Sequence, residues 1–413
     1  MTFPRTLIVS DVCISKAHGT GTLVMRHFSD YPQHRLTNAY LHSRGECFCT
    51  PSRFNIRRFD QTQIGTAQRF VWAIYHRVGR RLGLARYTYL PKISISPKIS
   101  DAILDRPDVI YSIAYGEFGL ALTDALCTYF DDVPMIQYFL DYQLPAGIGR
   151  HRYVREVMNR ATETWTLTEE IASAIQPFSE RPVILRPGFH MAMPPQSKHR
   201  HREAADPDFT CIIIGNFWSL DAIPVTKGLW QRVSAKHPNL KSIQWYGHRE
   251  SAERLNDAFG DIGPEIEYAG FLDGQEMMDA LMEADLALVP FNVTASAEHD
   301  YARYSLPSRL TELLAVGVPI FCIASADTPV ARYLSRNRLG VTGDGQNPEG
   351  LADRLCRLIE SRSSRLDLSR NARSFAEHNF ELESFQQFLY LKLKSLNYSR
   401  SEVLAEPCGT CDL

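Results

Sequence analysis

A serine, a proline, a base and an acid stand close together in YARYSLPSRLTELLAVGVPIF, residues 301–321. With Pro307 near the first turn of a helix, the free backbone N–H groups of that turn form a site for an anion such as a diphosphate. Arg309 adds a forked, permanently charged donor. Glu312, on the same helix face, has two carboxylate oxygens that can accept the vicinal hydroxyls of a ribose. An Arg309–Glu312 surface pair on an ordinary capped helix, worth roughly a few tenths of a kcal/mol, fits the same spacing. The Gly317-Val318-Pro319 exit does not separate the two readings.

Near the start of the chain, KAHGTGT (16–22) follows the first apolar run. Gly19 and Gly21, on either side of Thr20, let a backbone approach a phosphate or a sugar closely. Val24 holds the third glycine position, so this is no GxGxxG dinucleotide loop, and a plain turn fits equally. His18 can position a hydroxyl there or face solvent. Asp141 closes the run PMIQYFLD, where an acid can orient or deprotonate an acceptor or simply cap the strand.

Composition excludes several classes. Lys plus Arg (45) nearly balance Asp plus Glu (47), so no overall basicity points to nucleic acid. Nine cysteines, at 13, 47, 49, 127, 211, 322, 356, 408 and 411, are scattered and odd in number, the usage of a reducing compartment. Cys408 and Cys411 lack the second CxxC or HxxxH of a zinc site and read as a polar tail. The opening MTFPRTLIVSDVC is too short an apolar run for a signal peptide, and no run of 18 apolar residues occurs. A cytoplasmic protein is expected, resting at most on the inner membrane face.

One segment breaks the charge balance. Residues 53–98 hold ten Lys or Arg and one acid, Asp60, about +9 against −11 for the rest. Within it, QRFVWAIYHRVGRRLGLARYTYLPK interleaves Phe70, Val71, Trp72, Ile74, Tyr75, Val78 and Leu82 with basic residues. As a helix this has an apolar face with cationic flanks, suited to an anionic membrane interface. A core-facing helix with a solvated basic side fits as well. There is no RNP, KH or zinc-finger pattern for RNA.

The elements that must position these residues alternate along the 413-residue chain, whose 44% hydrophobic content is ordinarily globular. Strand-like runs at 7–14, 108–115, 134–140, 163–167 and 182–188 precede a polar segment, 193–208. Further runs at 209–216, 242–247, 266–271, 286–291 and 318–324 alternate with helical stretches at 225–236, 249–258, 275–284, 307–316, 329–334 and 348–361. The expected fold is α/β, with two Rossmann-like doubly wound domains facing a central cleft. Their expected limits are 1–192 and 209–369, joined by a linker at 193–208. A helix over 370–400 is expected to pack back across both domains, followed by a flexible tail at 401–413.

The stretch LPSRLTELLAVGVPI closely resembles the LPSKLYEYLAAGKPI signature of GT-B glycosyltransferases, particularly the family 4 type. YAGFLDGQEMMDALMEADLALVPF (268–291) resembles the elements that precede it there. IIIGNFW (212–218) is similar to the opening strand and glycine turn, Lys227-Gly228 to the family's KG, and WYGH (245–248) to the strand that ends beside the nucleotide base. In the first half, LRPGFH (185–190) is similar to the PNGVD that precedes the linker.

The resemblance implies a hexosyl-type transferase that moves a sugar from a nucleotide diphosphate, UDP- or GDP-linked, to a glycan or lipid-linked acceptor. It implies a donor site in the second domain, built from Gly215, Asn216, Lys227, Gly247, His248, Phe271, Leu306, Pro307, Ser308, Arg309 and Glu312. The first domain then holds the acceptor, with Gly19, Thr20 and Gly21 bordering the cleft and His18 and Asp141 as candidate catalytic groups. Retention of configuration, no metal, no cofactor beyond the donor, and a place in polysaccharide or glycoconjugate synthesis follow from the same likeness.

Two departures stand out. Asn216 holds a position where the family usually has Arg, with Lys227 eleven residues later. Tyr304 stands where the E-x7-E arrangement has its first Glu, leaving Asp300 or Glu298 as substitutes. These keep two alternatives open: a binding protein without turnover, and a nucleotide-sugar epimerase of the same fold.

Overall fold

The computed structural model describes residues 2–11, 13–14, 19–42, 55–60, 105–142, 151–186, 190–194, 202–203, 205–217, 221–259, 263–272, 274–291 and 304–405. Two units emerge, Met1–His190 with Leu382–Leu413, and Met191–Glu381.

The first unit is built on a parallel sheet of order β3-β2-β1-β4-β5-β6-β7 among the described residues. Its strands are β1 (Thr6–Ser10), β2 (Leu36–His42), β3 (Asn55–Asp60), β4 (Val109–Ser112), β5 (Met135–Phe139), β6 (Glu163–Thr166) and β7 (Val183–Leu185). Helices α1 (Gly19–His27), α2 (Glu117–Tyr129), α3 (His151–Arg160) and α4 (Glu169–Ile175) alternate with them. The run TLIVS is buried at every residue, as a central strand covered on both faces requires. Ile8 lies opposite Asn38 on one side and Tyr111 on the other.

Two of these strands, β2 and β3, carry no apolar alternation that would announce them. Leu36–His42 includes the buried Asn38, whose Nδ2 donates to Ile8 O and Ser10 Oγ at 3.2 and 2.8 Å. Its Oδ1 accepts the Ile14 N–H at 3.1 Å, which satisfies the chain just past β1. Asn55–Asp60 falls inside the basic segment and pairs with β2 in parallel; the remainder of 53–98 lies outside the described residues.

The second unit carries a sheet of order β10-β9-β8-β11-β12-β13, again parallel. Its strands are β8 (Cys211–Ile214), β9 (Ile243–Tyr246), β10 (Ile266–Gly270), β11 (Leu286–Pro290), β12 (Ile320–Ile323) and β13 (Val341–Gly343). The helices are α5 (Ala222–Lys236), α6 (Arg249–Phe259), α7 (Gly274–Glu283), α8 (Leu310–Val316), α9 (Pro329–Arg336), α10 (Pro348–Glu360) and α11 (Arg362–Asn379). In each sheet the chain runs outward from a middle strand and then returns beside it. The topological switch points therefore fall between β1 and β4, and between β8 and β11, where such sheets bind ligands.

The single helix expected over 370–400 is two. Phe380 leaves helical geometry (φ −114, ψ 13) with its ring buried, and its carbonyl accepts the Met191 N–H at 3.0 Å. The helix α11 belongs to the second unit. The last helix, α12 (Leu382–Ala405), belongs to the first and places Phe385, Leu389, Leu393 and Leu396 in the core with Ile8, Tyr111 and Trp165. Aromatic and aliphatic spacing is continuous through the break, so periodicity alone did not reveal it.

Arg202, within the expected linker, and Thr210, just past it, are tied into the second unit. The fully buried Asp285 accepts from the Arg202 and Thr210 backbone N–H groups at 2.8 and 3.0 Å and from the Arg202 guanidinium at 3.0 Å. Cys127, Cys211, Cys322 and Cys356 are free, buried thiols. Among the described residues no helix is long and apolar enough to cross a membrane.

Candidate functional site

In the second unit, the exits of β8, β9 and β10 are laced together. Gly215 leaves β8 at φ +99, a conformation that strains any residue with a side chain. Its N–H donates to Tyr246 O at 2.8 Å, and its carbonyl accepts Trp245 Nε1–H at 2.7 Å. Asn216 Oδ1 accepts the His248 N–H at 3.0 Å, fixing the exit of β9 against that of β8. The Gly247 N–H donates to Gly270 O at 2.9 Å, and the Tyr268 hydroxyl to Gly247 O at 3.1 Å. The His248 ring stacks on Phe271, centroids 4.6 Å apart and planes at 20°. Phe271 is 44% exposed, so the three exits carry an open aromatic face.

The segment before α8 meets this group. Leu310 N–H donates to Pro307 O at 3.0 Å and Thr311 N–H to Ser308 O at 3.3 Å, a tight turn from which the helix proper begins at Leu310 instead of Pro307. Arg309 ends that turn, and its Cγ lies 3.4 Å from where a Cβ on Gly215 would stand. The β8 exit and the α8 start are thus in contact. Leu306 and Pro307 are half-buried and Ser308 is exposed. Glu312 is only 4% exposed on a helix whose every residue is buried, which rules out a solvated Arg309–Glu312 surface pair. Arg309 Nη1 instead lies 3.2 Å from Met277 Sδ on α7. The helix stops at Gly317 (φ +83), whose N–H reaches the carbonyls of Leu313 and Leu314, and β12 follows three residues on.

Lys227 is not part of this group. It projects from α5 toward Glu265, with Nζ 4.0 Å from Oε2, and Glu265 also accepts from Gln231 Nε2 at 2.7 Å. Glu265 immediately precedes β10, so Lys227 lies toward the entry of that strand, while Phe271 marks its exit.

In the first unit the switch point is marked by Asp11, the residue after β1. Its Oδ2 accepts the Tyr115 N–H at 2.8 Å, and both oxygens accept the Gly116 N–H at 3.1–3.2 Å. Gly116 is the N-cap of α2, so the carboxylate at one strand end holds the N-cap N–H and the one before it at the entry to the helix that follows another strand. Burial pushes the Asp11 carboxyl above its ordinary value, outweighing the lowering by the Tyr115, Gly116 and Gly119 N–H groups. Tyr115 is pushed up as well, by burial first and then by the charges of Asp11 and Asp141, against a hydrogen bond with Thr20.

Asp141 follows β5 and accepts the Tyr142 N–H at 2.9 Å. Gly19, Thr20 and Gly21 form the first turn of α1, neither the cleft loop nor the plain turn that KAHGTGT left open. His18, Asp300 and Glu298 lie outside the described residues, and Tyr304 is half-buried.

No protein-family model and no curated protein matches the chain. Solved structures do. Anabaena HepE in complex with UDP and glucose matches with a TM-score of 0.60 at 13% identity, over 95% of this chain and 100% of that one. The E. coli trehalose-6-phosphate enzyme bound with UDP-2-fluoro glucose gives 0.60 at 12%, over 94% and 99%. TarM gives 0.52 at 13%, over 69% of this chain and 54% of that chain. This chain has the GT-B fold.

Within the GT-B frame, the geometry brings together Gly215, Asn216, Gly247, His248, Phe271 and Arg309 at the strand exits of the second unit, with Glu312 on the helix that Arg309 opens. It brings Asp141, Tyr115 and Thr20 near Asp11 in the first. Asp11 escaped the sequence reading because LIVSDVCI reads as a single strand from 7 to 14, which hides the acid at the true strand end, Ser10. An acid directly after a short strand-like run was the available signal, the same one that marks Asp141. Among the described residues no group of three or more His, Cys, Asp or Glu side chains could hold a metal ion.

Proposed function

We propose that this chain is a glycosyltransferase that draws a sugar from a nucleoside diphosphate donor, UDP- or GDP-linked, and passes it to a hydroxyl acceptor. The observation that carries the reading is the contact of Arg309 with Gly215 beside the exposed His248–Phe271 stack. There an aromatic face can receive a base, a buried Glu312 can accept ribose hydroxyls, and Arg309 can meet phosphate charge. Solved structures of like fold hold UDP, glucose or a fluorinated UDP-glucose, which supports a donor of this kind. In this reading no metal or further cofactor takes part, because an Arg and backbone N–H groups meet the leaving-group charge. Lys227, engaged with Glu265, has no part in the clamp.

The acceptor is a glycan or lipid-linked glycan, the reaction proceeds with retention, and the product belongs to a polysaccharide or glycoconjugate. The basic segment 53–98 rests the protein on an anionic inner membrane face; flotation with liposomes that lack anionic lipid should then lose the bound fraction. A thermal-shift screen of UDP, GDP, ADP and CMP with their sugar conjugates tests the donor reading, since a ligand of the folded state raises apparent stability. One nucleoside diphosphate should give a clear shift, and Glu312→Ala should weaken its binding by roughly 1–3 kcal/mol. Unchanged affinity in that variant removes Glu312 from the site.

A binding protein without turnover is the second reading. It is favoured by Asn216, which spends its Oδ1 on the His248 N–H where the resembling family has an arginine. Donor hydrolysis or transfer by the purified chain excludes it.

A further inference from the structure

Two arginines meet the turn that leaves β8. Arg309 lies against Gly215, and Arg254 of α6 reaches the same turn two residues on, its Nη2 donating to Phe217 O at 3.2 Å. At most roughly 7 Å of chain separates Gly215 from Phe217, so both side chains serve one short stretch of backbone. Neither guanidinium is spent on an acid. The Arg309 Nη1 partner is the Met277 thioether, a weak acceptor. Arg254 is exposed; on its own helix Glu253 pairs with Arg249 at 2.9 Å, and neither Glu250 nor Asp257 forms an ion pair with Arg254. Lys227, by contrast, faces Glu265, and Arg202 is held by Asp285.

Resting on the glycosyltransferase reading, we propose that Arg254 is the second cation of the donor site: with Arg309 it holds the donor's diphosphate at the β8 turn, filling the place that Asn216 and Lys227 leave without a positive charge. A diphosphate carries more negative charge than one guanidinium balances, and forked donors closing on it also meet the charge that develops as it leaves. The Phe217 carbonyl aims the Arg254 fork at the turn while leaving its other N–H groups for an anion. That carbonyl is itself fixed, because the Phe217 ring is buried edge-on against Trp245, centroids 5.1 Å apart. The arginine therefore arrives from α6 where the turn itself supplies none.

The test is binding to the full chain, by ligand-observed NMR, of inorganic pyrophosphate, UDP, GDP, uridine and guanosine. The wild type should bind pyrophosphate and one of the two nucleoside diphosphates. Arg254→Gln, which drops the charge from an exposed position, should weaken both by about tenfold or more, the scale of a lost hydrogen bond to a charged group. The matching nucleoside, which has no phosphate, should bind as before. Arg254→Lys, which keeps the charge without the fork, should recover part of the loss and guards against an effect of folding alone.

Equal pyrophosphate affinity in the wild type and Arg254→Gln overturns the proposal. So does an Arg254→Lys variant no better than Arg254→Gln, an equal loss for nucleoside and diphosphate, or a wild type that does not bind pyrophosphate. Failure of the glycosyltransferase reading shows differently: pyrophosphate affinity still falls in Arg254→Gln, but neither UDP nor GDP binds more tightly than pyrophosphate.

Discussion

At the residue scale, the two clusters differ in how replaceable their members are. Gly215 is held at φ +99 with Arg309 against it, so Gly215→Ala should cost on the order of 1–3 kcal/mol of stability in denaturant unfolding, with weaker donor binding. Phe271 is the opposite case. It is exposed and stacked on one ring, so Phe271→Ala should leave stability within about 0.5 kcal/mol and reduce nucleotide affinity by about 1 kcal/mol.

Asp11 carries a pH signature. Its carboxyl is raised in the folded state, so the stability it contributes is full below the ordinary value of 3.8 and is lost as pH rises through the folded value. Stability measured against pH should therefore shift in favour of Asp11→Asn, relative to the wild type, as pH climbs out of that acid range. A constant gap between the two proteins from pH 3 to 7 would remove the claim that burial dominates this site.

At the element scale, Gly215, Asn216, Gly247, His248, Phe271 and Arg309 are aimed by junctions, while Glu312 rides on a short helix. Helix α8 is only seven residues long, too short to hold itself, and depends on its turn at Pro307–Arg309 and its stop at Gly317. A Cβ on Gly317 would meet Ser369 O at 3.0 Å while φ stays at +83, so Gly317→Ala should destabilise the second unit by roughly 1–3 kcal/mol. The same substitution should loosen donor binding, because Glu312 and Arg309 ride on that helix. Residues 19–21, which the sequence left open between a cleft loop and a plain turn, start helix α1, whose Leu23 and Val24, with Phe28 just past its end, enter the first unit's core.

At the scale of the whole molecule, the chain's end completes its beginning. Four residues of α12 enter the core of the first unit, while Gln386 donates to Arg26 O and Ser29 Oγ, each at 2.7 Å, and the Tyr390 hydroxyl to His27 O at 3.0 Å. Leu389 is fully buried there, so Leu389→Ala should cost about 2–5 kcal/mol. Amide exchange should show where that loss falls: faster in β1 and β4, unchanged in β8 and β12, whose core is separate.

Apolar runs alternating with helical stretches determined the α/β class, and LPSRLTELLAVGVPI singled out the second unit's strand exits. Both signals are local, carried by residues within a few positions of one another. What the sequence did not disclose depends on partners distant along the chain. β2 and β3 are strands because Asn38 and the ladder beside β1 make them so, and the break after α11 exists because Met191 takes a carbonyl at Phe380. Lys227 faces Glu265 and not the strand exits of the second unit, and Asp11 entered the first unit's cluster by finding Tyr115 and Gly116 more than a hundred residues away. Periodicity records which face a residue buries. Hydrogen-bond geometry and charge placement are decided only when distant strand ends meet.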